Sequence, residues 1–345
     1  KIMLGRVPDT TLTLNPAVNK WLNGENGWLD RLDWDEYAMR PVVGLIDNPH
    51  AAQQLPLVVD LRRGHVVIFG ASGWGKTTFI RSLVVSLTAT HSPDDLWVYL
   101  LDLGGRNLGV LENLPHVGSV IIPDAEGYEE RVEQLLRELD DMVEDRKNKL
   151  SNEGLSDIYQ YNDAHPQATL PAILVAIDNF IEFNETFDNG NDNVESVLDK
   201  FVALARQAKP YGIHFVITAT RLSVLSNQLF SLFTERITLK LADRTDYRAI
   251  LGAHVADIGD VPGRGYIKHG HLPLSMQIAQ PVDLRREGSD ELANEREELE
   301  QYAQSMNDFI AGVGREYKEP VRVDALPKAI LFKQILARQM EMPVD

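Results

Sequence analysis

Apolar residues recur along this chain with two different periods, and the two alternate. Short continuous apolar runs bounded by turn residues cover 66–69, 96–101, 171–177, 213–219 and 236–241. Runs of that length read as strands buried on both faces. Between them, apolar positions at helical spacing mark helices over 77–89, 127–150, 194–208, 225–233 and 244–251. The longest is the clearest, with Val132, Leu135, Leu136, Leu139, Met142 and Val143 on one stripe. Strands alternating with helices predict an α/β fold, a mainly parallel central sheet with helices on both faces. A short strand is read at 57–61. Gly263-Arg264-Gly265 turns into a strand at 266–268, and 274–279 completes a hairpin, placed at the sheet edge. Residues 184–193 are polar, rich in Asn and Asp, and read as a loop.

The ends read differently. Residues 1–55 are punctuated by Pro8, Pro16, Pro41 and Pro49 and read as an irregular lead-in packed on the core through Trp21, Trp28 and Trp34. The main domain is expected over 56–285. Residues 286–345 read as a charged helix (289–312) followed by an extended linker at 319–327, leading toward a following module.

Composition narrows the class. A chain of 345 residues with 44% hydrophobic content has ample material for a large core. It has no cysteine, which excludes disulfides and cysteine-based zinc sites and suits a reducing cytosol. No apolar run reaches membrane-spanning length, and no signal peptide precedes the first strand. The first residue is Lys1, which fits a piece excised from something longer. The net charge of −17 argues against a surface dedicated to nucleic-acid phosphates. Much of the acid falls in two helical stretches, 124–145 and 287–300, read as solvated faces.

The candidate chemistry begins where the strand at 66–69 runs into Gly70-Ala71-Ser72-Gly73-Trp74-Gly75-Lys76-Thr77-Thr78. This is the G-x-x-x-x-G-K-T phosphate loop in its required strand–loop–helix setting. The glycines let the backbone curl so that several N–H groups point at one phosphate chain. Lys76 supplies a fixed charge for the β- and γ-phosphates, the Thr77 hydroxyl ligates Mg²⁺, and the following helix sets its positive end beneath. The predicted cofactors are therefore ATP and Mg²⁺. A second carboxylate must help hold the metal from the end of a neighbouring strand, and Asp178, closing 171–177, has that form. Gly70, Asp102, Asp178 and Thr220 all follow strand ends and are expected on one rim.

The residue after Asp178 breaks the pattern. ATPases with an extra strand between these two motifs commonly carry a Glu there to activate the attacking water, whereas this chain has Asn179. An amide orients a water but does not take its proton. Glu182, three residues on, is the candidate substitute. Thr220 is placed to sense the γ-phosphate, and Arg236, Arg244 and Arg248 are candidates to reach a neighbouring subunit's nucleotide. His269 and His271 flank Gly270 on what reads as a turn, with no third metal ligand in view.

Taken together, the phosphate loop, Tyr99-Leu100-Leu101-Asp102, Leu114-Pro115-His116-Val117, the strand ending at Asp178, Thr218–Arg221 and Asp246-Tyr247-Arg248 resemble the FtsK/SpoIIIE ATPases. Within them the chain is most similar to a module of the EccC/EssC proteins of type VII secretion. Pro41-Val42-Val43-Gly44-Leu45-Ile46-Asp47 and Pro262-Gly263-Arg264-Gly265 add to that likeness, which covers about residues 40–280. The resemblance implies a RecA-like P-loop NTPase fold and a middle module, the second of three, with neighbouring ATPase modules on the same polypeptide. It further implies WXG100-type secreted proteins or other secretion components as partners. The location it implies is cytoplasmic, at the inner face of the membrane through an anchor elsewhere in the full-length protein. Later modules of that branch often carry altered catalytic residues, which Asn179 fits. Two other functions stay open at this stage: an active double-stranded DNA translocase, and a structural docking module with nucleotide as a folding cofactor.

Overall fold

The computed structural model describes residues 4, 14–22, 27–29, 36–123, 127–188, 190, 195–270, 272–282 and 291–323. Its strands are β1 (Val42–Asn48), β2 (Gln53–Val58), β3 (Val66–Phe69), β4 (Leu96–Asp102), β5 (Val117–Ile121), β6 (Ala172–Asp178), β7 (Ile213–Ala219), β8 (Glu235–Thr238), β9 (Arg264–His269) and β10 (Leu272–Ile278). The helices are α1 (Pro16–Leu22), α2 (Lys76–Thr90), α3 (Tyr128–Glu153), α4 (Ile158–Ala164), α5 (Phe180–Phe187), α6 (Val197–Gln207), α7 (Asn227–Leu232), α8 (Thr245–Leu251) and α9 (Glu291–Val313).

One ten-stranded sheet runs in the order β2-β1-β10-β9-β8-β3-β7-β6-β4-β5. From β8 to β5 every pairing is parallel, and from β2 to β9, as at the β8–β9 junction, it is antiparallel. The apolar runs explain the parallel half: β3, β6 and β7 are buried along their whole length, so both faces must be covered. One face packs on α1, α2 and α9, the other on α3, α5 and α6.

Three expectations need correction. The lead-in is not irregular over its length: β1 pairs with β10, and the boundary expected at residue 55 falls inside β2. The hairpin of β9 and β10 accordingly lies inside the sheet, flanked by β8 and β1, and not at its edge. Alternation in 42–58 is too weak to announce these strands, and the partner that brings β1 into the sheet, β10, lies more than 200 residues away. Residues 184–187, read as loop, finish α5, because Phe180, Phe183 and Phe187 form a helical apolar stripe that buries against α6. The strand β5 was not anticipated. The expected packing of Trp21 and Trp28 holds: their rings meet at 4.9 Å and both contact Phe309 of α9. Trp34 lies outside the described residues.

The chain's C-terminal stretch does not leave the body after α9. Residues 318–323 cross the β4–β5 side of the sheet. There Tyr99 donates to Val321 O at 2.9 Å, Ser119 Oγ both donates to and accepts from the Val323 backbone, and Arg131 Nε donates to Val323 O. These contacts lay the segment on the α3-side face of the sheet, where Val323 joins the core.

Three buried histidines bear on stability. His65 Nδ1 accepts from Phe215 N at 3.1 Å while Nε2 donates to Ala205 O at 2.7 Å. His116 donates to His91 O, and His214 meets the Tyr159 hydroxyl at 2.8 Å. Burial lowers them to about 4, about 3 and about 3 respectively. Above pH 6.5 folded and unfolded forms are both neutral and stability is at its full value. Below it the unfolded chain takes up protons that the native state refuses, so stability falls by about 1.4 kcal/mol per pH unit for each histidine until the folded pKa is reached. The denaturant midpoint should therefore be flat from pH 8 to 7 and drop steeply between 6.5 and 4; a midpoint unchanged at pH 5 contradicts the neutral, buried assignment.

Candidate nucleotide site

β3 delivers the phosphate loop to the carboxyl-end rim of the parallel strands. The loop leaves between two neighbours: Gly70 N donates to Ala219 O at 3.0 Å, and Ala71 N to Lys240 O at 2.8 Å. A Cβ on Gly70 would meet the Leu239 side chain at 2.9 Å, so no side chain fits there. Gly75 has φ +100° and caps α2, its carbonyl accepting from Phe79 N at 2.9 Å. That left-handed backbone is costly for other residues. A Cβ on it would also press on the Gly263 backbone at 3.3 Å. Gly263 N donates to Trp74 O, and the Lys240 ammonium lies 4.6 Å from the Trp74 ring centre while pairing with Asp260. Ser72 and Gly73 are exposed at the tip, and Thr78 is half-buried in the first turn of α2.

The charged groups converge below the loop. Lys76 Nζ donates to Gly70 O at 2.8 Å and Ala71 O at 3.0 Å, folded back across its own loop. Burial lowers its pKa, and the Asp178 carboxylate opposes that. Thr77 Oγ1 donates to Asp178 Oδ2 at 2.6 Å. Thr218 Oγ1 donates to Asp178 Oδ1, also at 2.6 Å, and accepts from Asn179 N at 2.8 Å. Asp178 is thus held by a hydroxyl on each oxygen. The donor set fits a magnesium nucleotide: a hydroxyl and a carboxylate in contact, a lysine beside them, and N–H groups at the start of α2.

Asn179 has φ +69°, a conformation that Asn tolerates better than most residues. Its Nδ2 donates to Leu103 O at 3.2 Å. Its amide is therefore engaged with the backbone. Glu182 stands in the first turn of α5, half-buried, with its N–H donating to Asn179 O. Thr220 lies just past β7, half-buried, and the residue of that strand that meets Asp178 is Thr218. A buried threonine near the carboxyl end of that strand, on the same face as Asp178, was the available signal. Arg236 does not reach outward: it donates to Phe230 O and Phe233 O and lies over the Phe230 ring, closing the end of α7. Arg244 pairs with Asp257 at 2.9 Å, and Arg248 is exposed on α8. Among the described residues no group of three or more acidic or histidine side chains is placed to hold a metal; His271 lies outside them.

Past Gly75 and Thr78 the site opens into a cleft of about 720 Å³, walled by Leu45 and Asp47 of β1, Tyr266 of β9, Met276 and Gln277 of β10, and Ile258. Sequence reasoning did not foresee it, because its walls come from strands far apart in the chain.

A model of the FtsK/SpoIIIE family matches residues 31–277. The type VII secretion system protein EssC of Staphylococcus aureus (strain MRSA252) is 27% identical over 294 residues, 85% of this chain and 18% of that protein. The ESX-4 secretion system protein EccC4 of Mycobacterium tuberculosis is 28% identical over 257 residues, 73% of this chain and 20% of that protein. The chain thus spans about a fifth of the length of these curated relatives. Among solved structures, ATPases 2 and 3 of EssC from Geobacillus thermodenitrificans superimpose with a TM-score of 0.72 at 26% identity, covering 88% of this chain and 54% of that one.

The Thr218 contact generates a direct test. Thr218→Val keeps the shape but leaves Asp178 Oδ1 and the Asn179 N–H without their buried partner. The expected loss of stability is about 1–3 kcal/mol, read from denaturant unfolding. A neutral result would mean that Thr218 does not hold Asp178.

Proposed function

The chain belongs to the FtsK/SpoIIIE family, and from that premise we propose that it is an ATP-binding module of a type VII protein-secretion motor, with weak or no turnover on its own. The observation that carries the reading is the contact of Thr77 with Asp178 at 2.6 Å, beside Lys76 at the start of α2. It joins the two halves of a magnesium-nucleotide site across 101 residues of sequence. Partners on this reading are neighbouring ATPase modules of the same polypeptide and WXG100-type secreted proteins or other secretion components. The location is cytoplasmic, against the membrane through the full-length protein. No helix among the described residues is long and apolar enough to cross a membrane.

The geometry supports a role for each residue. The N–H groups between Gly73 and Thr77 take the phosphate chain. Lys76 exchanges its Gly70 and Ala71 carbonyls for phosphate oxygens. Thr77 and Asp178 would hold Mg²⁺, which would supply positive charge to offset the negative charge of the phosphates. The cleft beyond Gly75 and Thr78 receives the base, with Met276 and Ile258 as apolar wall. Proton removal from the attacking water is the missing function. Asp178 is committed to the metal, and Asn179 has no proton-accepting group and is tied to Leu103. General-base help is worth about 10²–10⁴ in rate.

Binding and turnover test this separately. Lys76→Ala should abolish Mg-ATP binding in titration calorimetry, and Trp74 fluorescence should change on binding to the unaltered chain; equal affinity for both sinks the site. Phosphate release by the chain alone should be at or near background. Asn179→Glu should raise it while costing about 1 kcal/mol of stability, because φ at 179 is left-handed. Turnover of several per second without substitution would assign the base elsewhere, Glu182 first. With a net charge of −17, no nanomolar duplex DNA binding is expected at physiological salt; such binding with a steep salt slope would favour a translocase.

A further inference from the structure

Asp102 ends β4 in register with Asp178 at the end of β6. Leu100 and Ala176, two residues earlier on each strand, pack in the core on the α2 side, so both carboxylates project to that face. Asp102 is fully buried. Its Oδ2 accepts from Leu108 N at 2.6 Å, closing the turn 103–108, and Oδ1 has no hydrogen-bond partner. A buried carboxylate in this state is a structural anchor held at a cost.

The turn it anchors touches the nucleotide site at one end. Leu103 N donates to Asp178 O at 3.2 Å, and Leu103 O accepts from the Asn179 side chain. Gly104 lies so close that an added Cβ would stand 3.1 Å from Asp178 Oδ2. At the other end, Asn107 O accepts twice from Arg81, from Nε at 3.0 Å and Nη2 at 2.7 Å. Arg81 is on α2, the helix that begins with Lys76 and Thr77. Its remaining nitrogen, Nη1, donates to Glu295 Oε1 of α9 at 2.7 Å, with side chains 11% and 9% exposed. A pair this desolvated is demanding, because removing one partner strands a buried charge.

We propose that this turn couples docking of α9 to magnesium-nucleotide affinity, with Asp102 as a positioning residue. The inference rests on the reading of Thr77 and Asp178 as the metal site. With α9 docked, Glu295 aims Arg81 at Asn107 O. The turn is then pinned at both ends and holds Asp178 against Thr77. With α9 undocked, Arg81 and the turn loosen, and metal binding must first order Asp178. Coupling of two binding equilibria is reciprocal, so magnesium nucleotide must tighten α9 by the same factor.

The test uses the chain as it stands. Titration calorimetry with Mg-ATP, and with ATP in EDTA, is run on the unaltered chain, Glu295→Gln, Asp102→Ala and Glu300→Gln. Hydrogen–deuterium exchange across 291–313 is followed with and without Mg-ATP. Glu295→Gln should weaken Mg-ATP about five-fold and leave ATP in EDTA unchanged. Asp102→Ala, which spares the Arg81–Glu295 pair, should give the same magnesium-specific loss. Glu300 pairs only along the exposed face with Arg296, and its variant should match the unaltered chain. Mg-ATP should slow exchange in α9 of the unaltered chain and not of Glu295→Gln. The proposal is overturned if Glu295→Gln binds Mg-ATP normally, or if its loss is the same without metal. An unaltered chain that binds no Mg-ATP removes the site reading and this one together. Normal binding without coupling removes this one alone.

Discussion

The structure turns on the burial of one helix, α2, that carries hydroxyls into the core with its apolar residues. From Phe79 to Thr90 every residue of α2 but Arg81 is buried, and Ser82, Ser86, Thr88 and Thr90 go in with the apolar ones. Buried hydroxyls and the last carbonyls of a helix need partners, and the partners come from far away. Asn15 donates to Ser86 O and Oγ, Val42 N donates to Ser86 Oγ, and Ser82 donates to Ala279 O. Trp28, Trp21 and Tyr302 donate to Thr88 O, Ala89 O and Val85 O in turn. The flanks of the chain are therefore part of the domain. Without α1, β1 and α9, the helix that carries Lys76 and Thr77 would face water with an apolar stripe and lose several satisfied bonds.

A second constraint sits at the rim. Asp178 and Asp102 are neighbours on parallel strands, each buried, each needing its negative charge accounted for. Asp178 is answered by two hydroxyls at 2.6 Å and by Lys76 nearby. Asp102 is answered by backbone amides, and burial together with Asp178 holds its pKa above the ordinary carboxylate range. The two carboxyls thus differ by environment: one is held by two hydroxyls, the other ties a turn. Asn179 completes the arrangement with a left-handed backbone and an amide committed to Leu103. A positive φ at Asn179 and an unpartnered Asp102 oxygen meet at this rim, while others of each kind, Met39 and Ala52, His116 and His214, lie away from it. Strain and unsatisfied groups of this kind gather where a fold is built around a function.

The same geometry frames the functional reading. On the proposed reading Lys76, Thr77 and Asp178 would bind a magnesium nucleotide, and Asn179 would not take a proton from water. Nucleotide bound without turnover would then fix the relation between neighbouring parts of a larger assembly. The connection from Asp178 through the 103–108 turn and Arg81 to α9 gives such a relation a physical route.

The sequence by itself determined the class and the heart of the site. Continuous apolar runs separated by helical stripes marked the parallel half of the sheet, covered on both faces, and not the antiparallel half. The phosphate loop was legible because its chemistry is local: glycines, a lysine and a threonine at fixed spacing between a strand and a helix. Asp178 and the substitution at Asn179 were legible for the same reason. What only the tertiary structure decided depends on partners distant in sequence. β1 and β5 are strands because β10 and β4 offer them an edge, a fact that weak alternation in short segments does not carry. Thr218, and not Thr220, meets Asp178 because strand register sets which residue stands beside the carboxylate. Arg236, on β8, closes the end of α7 because the Phe230 and Phe233 carbonyls lie within reach. The N- and C-terminal segments, read as connectors from their prolines and charges, became structural because Ser86 and the carbonyls of Val85, Thr88 and Ala89 take partners from them.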